Sequence, residues 1–388
     1  MEINLFANMS PLSLSFHAMH IGIDARLPYY QRGGISQYTL FLIQALARRD
    51  QQNRYTIFQL RKDGDSYLPS QPNFTRGNLF TPCHHRLESI TLSAELLPHR
   101  LDLLHSPDFI PPRRGGKRHV ITVHDLNFIY YPQFLTAESR RYYLEQIESA
   151  VEKADHISAD SHYTREDVIE RLNVPPEKIT TVHLSVNPLY QRQYTAAEIR
   201  ATLDQYKLSP GFILAVGTLE PRKNYAGLIQ SYAKCRSEYG VDLPLVIIGK
   251  KGWLYDDIFE TINALKLNRH VHHLSGIFDE ALAHFYHGAG VLVTPSHFEG
   301  FGLPGLEALN CSCPIILSNR GSLPEIAGEA GLLLDPDDSD AWAETIYQVL
   351  HDSTLRERMI STGSQHAATF SWDEAARKTL DIYAKAVS

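Results

Sequence analysis

Short apolar runs alternate with amphipathic stretches along almost the whole chain. The runs "HIGIDA", "RYTIFQL", "LDLLHSP", "HVITVHD", "HISAD" and "ITTVHL" have the length and β-branched content of strands. Between them "SQYTLFLIQALARR", "AESRRYYLEQIESAVEKA" and "YTREDVIERLN" carry apolar residues at helical spacing. This alternation predicts a parallel sheet with helices on both faces. The stretch "SVNPLYQRQYTAAEIRATLDQYKLSPG" then interrupts the strands and reads as a connection. A second series follows, with strands at "FILAVGT", "PLVIIGK", "VHHLSG", "GVLVTPS", "PIILSN" and "GLLLDP" and helical segments between them. The closing "SWDEAARKTLDIYAKAV" has a Ser start and helical periodicity, so it reads as a terminal amphipathic helix over 371–388. The expected class is α/β: one Rossmann-like domain over 19–190 and another over 207–370, their parallel sheets facing across a cleft.

Composition narrows this picture. A chain of 388 residues exceeds the usual size of one domain, and a hydrophobic fraction of 43% is ample for two cores. A net charge of −7 argues against a general nucleic-acid binder, which needs a basic footprint. The four cysteines, Cys83, Cys235, Cys311 and Cys313, are too few and scattered for a disulfide framework and fit a reducing cytosol. Residues 1–18 have no basic n-region and precede the natural first strand, so they read as a dispensable extension rather than a signal peptide. No stretch is long enough to span a bilayer.

Candidate chemistry collects where strands end. "HFEGFGLPGLEALNCSCP" holds Glu299 and Glu307 with seven residues between them. Its glycines permit a tight strand-to-helix loop and Pro304 suits a first helical turn, so Glu299 falls in the loop and Glu307 in the helix. Spacing alone allows a ligand cradle at a helix N-terminus, or equally a solvated acid and a residue that complements the macrodipole. "LAVGTLEPRKN" offers Arg222 and Lys223 as a helix begins, an anion site or a solvated loop pair. "YYQRGGISQYTL" sets Gly33 and Gly34 between the first strand and helix, where backbone could approach a phosphate, yet GxGxxG is absent. His124 and Asp125 close the strand "VITVHDL", either toward a ligand or as a capped strand end. His270, His272 and His273, Glu280 with His284 and His287, and the pairs Asp63/Asp65 and Asp335/Asp337 match no metal-site spacing better than a helix surface, strand edge or turn.

With Arg222, Lys223, Glu299 and Glu307 in order, the chain resembles the retaining glycosyltransferases of family 4, which have the GT-B fold. The resemblance runs from Met19 to the last helix and is carried chiefly by "EGFGLPGLEAL", the family's E-x7-E motif, and "PEIAGEAGLLLDPDD". It implies that Glu307 holds the nucleotide ribose and that Glu299 lies near the donor sugar. Arg222 and Lys223 would neutralise the diphosphate, and the backbone of Phe301, Gly302 and Leu303 would bind sugar and phosphate oxygens. Ile277 and Phe278 resemble the base-binding loop, Gly33 and Gly34 the loop closing on the phosphates, and His124 the sugar-facing histidine. The helix with Trp372 resembles the one that crosses back to the first domain. Asn310 and Cys313 depart from the small residues commoner at those places, and the acceptor half carries no matching signature.

The motif wording is most similar to bacterial mannosyltransferases of surface-polysaccharide and lipopolysaccharide assembly that use GDP-mannose. A UDP-glucose or UDP-N-acetylglucosamine enzyme is the alternative, and a GT-B nucleotide-sugar epimerase a further one that the E-x7-E loop disfavours. The resemblance implies a cytoplasmic enzyme with no cofactor and no metal, acting on a saccharide or lipid-linked acceptor. Basic groups at Arg113, Arg114, Lys117, Arg118, Arg140 and Arg141 offer either a peripheral contact with the inner face of the plasma membrane or an ordinary solvated surface.

Overall fold

The apolar runs form two parallel sheets in the computed structural model, which describes residues 18–30, 33–85, 87–134 and 137–388. The extension expected over 1–18 lies outside these apart from its last residue. The first sheet comprises β1 (His20–Asp24), β2 (Arg54–Leu60), β3 (Phe74–Leu79), β4 (Leu101–Ser106), β5 (Gly116–Val123), β6 (His156–Ala159) and β7 (Ile179–Thr181). Its order is β3-β2-β1-β4-β5-β6-β7. The second comprises β8 (Ile213–Val216), β9 (Leu245–Ile248), β10 (Val271–Leu274), β11 (Val291–Thr294), β12 (Ile315–Ser318) and β13 (Leu332–Leu334), in the order β10-β9-β8-β11-β12-β13. β9, β11 and β12 are buried along their whole length, as strands covered by helices on both faces must be, which is why they read as unbroken apolar runs.

β3 is a strand that the hydrophobic pattern does not announce. "FTRGNL" mixes Arg76 and Asn78 with only three buried positions, Phe74, Gly77 and Leu79. An edge strand hydrogen-bonds on one side only, so polar residues are tolerated there.

Both sheets reverse their direction of growth between two central strands, β1 and β4 in the first and β8 and β11 in the second. The loops that leave such strands diverge and open a crevice, the usual place for a ligand in an open α/β sheet. The loops after β8 and β11 carry Arg222, Lys223 and Glu299.

The last helix, Trp372–Val387, starts at Ser371, whose hydroxyl accepts from Glu374 N–H. It packs on the first sheet. Tyr383 Oη lies 2.8 Å from His105 Nδ1, Trp372 Nε1 donates to Val186 O at 2.9 Å, and Arg49 pairs with Asp373 at 2.6 Å. The domains also meet at the start of the helix His162–Leu172, where Ser161 and Thr164 hydroxyls both donate to Gly300 O, at 2.8 and 3.2 Å. Among the described residues no helix is long and apolar enough to cross a membrane.

Candidate functional site

Arg222 and Lys223 sit on one turn of 3-10 helix, Pro221–Lys223, that follows β8. The long helix expected directly after Pro221 begins only at Tyr225, because Asn224 adopts the left-handed conformation between the two. That turn aims both cations at the loop after β11. Lys223 Nζ donates to Glu299 Oε1 at 2.6 Å, and Arg222 donates to Glu299 Oε2 at 2.9 Å and to Phe298 O at 2.7 Å. Glu220 takes the other side of the Arg222 guanidinium at 2.6 Å, and Ser296 donates to Glu299 Oε1 at 2.7 Å.

Glu299 is buried. Burial alone would raise its carboxyl, but Lys223 and then Arg222 outweigh this and hold it down to about 2. It is therefore ionised at any physiological pH. Two buried acids balance two cations, so Glu299 is first of all the counterion that arranges the cations. The expectation that it simply borders the donor sugar misses this part of its role.

Glu307 behaves in the opposite way. It lies in the helix Leu303–Asn310, and its one hydrogen bond among the described residues comes from the Tyr286 hydroxyl to Oε2 at 2.7 Å. With no cation beside it, burial pushes its carboxyl up to about 7, and the Tyr286 bond only partly opposes that. The two motif acids are thus shifted in opposite directions, chiefly because Glu299 has paired cations and Glu307 has none.

The loop between them needs its glycines. Gly302 has φ +97°, in the left-handed region, at the N-cap of the helix. A Cβ on Gly300 would lie 2.2 Å from His124 O, so only glycine allows the two domains this close an approach. At the start of this helix Pro304 has no N–H and Gly305 N–H already bonds Gly302 O at 3.0 Å, which leaves the Leu303 N–H as the one outside the helical ladder that could meet an anion. Phe301 is buried beside it.

His124 ends the approach from the first domain. Its Nδ1 is 2.5 Å from Asp160 Oδ2 and its Nε2 is 2.7 Å from Pro107 O. A carboxylate and a carbonyl can only accept, so both ring nitrogens carry protons and His124 is an imidazolium. Burial disfavours that charge, yet Asp160 more than compensates and raises the group to about 9. His124 offers positive charge rather than a free base.

His124 and Arg222 line one cavity of about 210 Å³ between the domains, together with Asp125, Glu220, Phe109, Phe128, Tyr143 and Trp253. Asp108 and Asp125 also face it, held by His84 and by Asn127. Gly34 approaches from the first domain at the start of the helix Gly34–Arg49, its Cβ position 3.7 Å from Leu303 Cδ1, and Gly33 caps that first-domain helix with open space around it. Glu307 is not on that cavity. It lines a narrow crevice of about 10 Å³ with Leu303 on one side and Gln37, Tyr38 and Trp372 on the other, room for about one water. Anything larger than a water reaches Glu307 through this crevice only when those walls part. Ile277 is buried after β10, while Phe278 beside it is 66% exposed, so only Phe278 presents a ring to solvent.

Sequence reading missed Glu220, Asp160 and Tyr286. Glu220 and Asp160 stand at or beside strand ends, a signal that could have found them. Tyr286 faces Glu307 from the helix Asp279–Gly288 across the domain, and no spacing announces that. The weaker metal candidates are held in structure. Asp65 N–H bonds Asp63, Asp337 N–H bonds Asp335, His273 bonds Gly249 O, His284 bonds Thr202 and Glu280 pairs with Arg192.

Comparison with known proteins fits this geometry. The model of "Glycosyl transferases group 1" matches residues 203–366, and that of "Glycosyltransferase Family 4" matches 32–188. O-antigen chain mannosyltransferase B of Escherichia coli is 31% identical over 373 residues, 91% of this chain and 96% of that one. Sucrose-phosphate synthase of Thermosynechococcus elongatus shares the fold with a TM-score of 0.73 at 22% identity, over 95% of this chain and 98% of that one. Anabaena HepE, solved with UDP-glucose, superimposes with a TM-score of 0.74 at 17% identity, over 94% and 99%. The paired cations and the buried acids of the E-x7-E loop thus stand on a GT-B frame, and the chain belongs to the family 4 glycosyltransferases.

Proposed function

We propose that the protein transfers mannose, with retention, from GDP-mannose to a saccharide or lipid-linked acceptor in surface-polysaccharide assembly. The observation that carries this reading is the placement of Arg222 and the His124 imidazolium on one interdomain cavity, with Lys223 held next to Arg222 by their shared carboxylate, Glu299. The donor's C1–O bond to phosphate breaks as the acceptor oxygen bonds to C1, and charge grows on the departing diphosphate. Fixed cations placed there stabilise the transition state more than the ground state. Proton transfer from the acceptor hydroxyl to the departing phosphate oxygen needs no protein base, in keeping with a His124 that already holds both protons. The cavity carboxylates Asp108, Asp125 and Glu220 are each engaged in hydrogen bonds, which favours attack on the face that the diphosphate leaves. The mannose assignment is supported by the name of the E. coli relative.

A donor panel tests it. With GDP-mannose, UDP-glucose and UDP-N-acetylglucosamine supplied separately, GDP release from GDP-mannose should dominate, and product NMR should report the α-anomer. UDP release from either UDP-sugar in preference would replace the donor assignment. Turnover is also expected to persist in EDTA, because Arg222 and Lys223 serve the diphosphate. Loss of activity in chelator, restored by magnesium or manganese, would assign that role to a metal.

For a lipid-linked acceptor we infer contact with an anionic bilayer through the helix Glu88–Leu96. Of the expected basic patch, Lys117 is paired with Asp102, Arg118 with Asp155 and Arg141 with Glu145. Arg113 and Arg114 have no ion pair among the described residues, and their N–H groups bond Ser89 O and Ser93 Oγ of that helix. Leu87 and Ile90 beside them are 54% and 50% exposed. Cations next to exposed apolar side chains suit a headgroup boundary, at about 1 kcal/mol per basic residue. The protein should co-sediment with phosphatidylglycerol vesicles at low salt and release as salt rises. Arg113→Glu with Arg114→Glu should abolish this without changing donor hydrolysis; binding indifferent to both salt and the substitutions would rule the surface out.

A further inference from the structure

We propose that His162, His183 and Glu325 form a zinc-type metal site that clamps the two domains together. His162 opens the helix after β6, and His183 lies just past β7, both in the first domain. Glu325 comes from the second, in the helix Leu323–Ala327 between β12 and β13. One ligand atom from each lies within 4.8 Å of the others. His183 Nε2 is 3.1 Å from Glu325 Oε2, close to the edge of a tetrahedron around an ion bound at roughly 2.0–2.1 Å. The two imidazole rings have centroids 5.1 Å apart at 82°. Two imidazoles bound to one tetrahedral ion at those bond lengths place their centroids roughly 5 Å apart, so little rearrangement is needed.

The surroundings also suit ligation. Glu325 is aimed by two backbone donors, His162 N–H to Oε2 at 2.9 Å and Tyr163 N–H to Oε1 at 2.7 Å. His162 Nδ1 is 3.2 Å from the Thr181 hydroxyl, which orients that ring. His162 is exposed, so an ion can enter and a water can complete the coordination. Two imidazoles and one carboxylate favour Zn²⁺, or Ni²⁺ and Cu²⁺ by the same preference, over Mg²⁺ and Ca²⁺, which take oxygen ligands.

The position gives the site a consequence. Ser161 and Thr164, beside His162, hold Gly300 O, while Ser322, beside the helix of Glu325, donates both N–H and hydroxyl to Glu299 O, at 3.1 and 3.0 Å. An ion at this place therefore ties the first domain to the second beside the start of the E-x7-E loop, at Glu299 and Gly300, and holds shut the crevice that covers Glu307. Its effect on turnover rests on the donor role proposed for that loop; its binding does not.

Calorimetry with zinc chloride on the chelator-stripped full chain tests the binding by itself. One Zn²⁺ per chain is expected at this site, with magnesium giving no heat, and His162→Ala should bind it at least about 100-fold more weakly. His183→Gln should do the same, and the exposed position of His162 keeps the test open if that second variant fails to fold. Zinc should slow sugar transfer by the wild type, reversibly with EDTA, and leave His162→Ala unaffected while its metal-free rate stays at the wild-type level. No zinc binding, or binding equal in wild type and variant, overturns the site. Site-specific binding without slowing of an active enzyme overturns the clamp, whereas an enzyme inactive with every donor would count against the proposed reaction only.

Discussion

Lys223→Ala is expected to lower kcat by about 10²–10³-fold at saturating donor, with a smaller change in donor affinity and little loss of stability. The ammonium has three donors, and among the described residues its one hydrogen bond goes to Glu299. Two donors are thus left for phosphate oxygens whose charge grows during transfer. Its removal leaves Glu299 with Arg222 and Ser296, so the fold should hold. Arg222→Ala should cost turnover similarly but also loosen the loop, since among the described residues it alone bonds Phe298 O. Glu299→Ala should be the structural failure among the three. It strands a buried ammonium and should destabilise by about 3–5 kcal/mol in denaturant unfolding. Saturating GDP should stabilise that variant more than the wild type, because the diphosphate restores the missing negative charge. A Lys223→Ala enzyme with unchanged kcat would show that the cations are not the diphosphate site, and a Glu299→Ala protein as stable as wild type would remove Glu299 as their counterion. The Glu299 contribution is present above its ordinary carboxyl value of 4.5 and fades as pH falls from there toward 2, since the unfolded chain takes up the proton first.

What the sequence makes legible here is position along strands. Arg222 and Glu299 both follow apolar runs of the second sheet, and in a parallel sheet those ends gather on one side, so their association can be read without coordinates, while His124 is placed at the same kind of strand end in the first sheet. What escapes is everything decided across elements. The opposite shifts of Glu299 and Glu307 depend on the one-turn helix that brings Lys223 to the first acid and no cation to the second. The charge on His124 depends on Asp160, 36 residues away and one strand over. The cluster of His162, His183 and Glu325 joins residues with up to 163 positions between their ends, a separation no motif spacing covers. β3 escaped for a different reason: at a sheet edge half of its residues answer to water, and the apolar run that marks a central strand is missing.

Affinity for GDP-mannose is expected to rise as pH increases toward 7 and to level off above it. Glu307 titrates at about 7 in the free protein because it is buried without a cation, so below that pH it is mostly a neutral acid. If its carboxylate accepts the ribose hydroxyls, the complex favours the ionised form, and binding must release the proton. The linkage allows up to about tenfold in affinity per pH unit below 7, with none above. GDP-mannose is the right probe, since its diphosphate is esterified at both ends and does not titrate in this range. Calorimetry in two buffers of different ionisation enthalpy should count close to one proton released at pH 6 and none at pH 8. Glu307→Gln should bind with no such pH slope, and Glu307→Ala should bind about 10–150-fold more weakly at pH 8, the usual cost of losing a hydrogen bond to a charged group. The same shift has the opposite sign for stability of the free protein. The folded state keeps a proton that the unfolded chain gives up above 4.5, so this group's contribution declines as pH rises from 4.5 to 7. The protein would therefore trade stability for a carboxylate that donor binding turns on. A flat affinity across pH 6 to 8 in the wild type, or a folded Glu307→Ala variant that binds GDP-mannose as well as wild type does, would remove Glu307 from the ribose site.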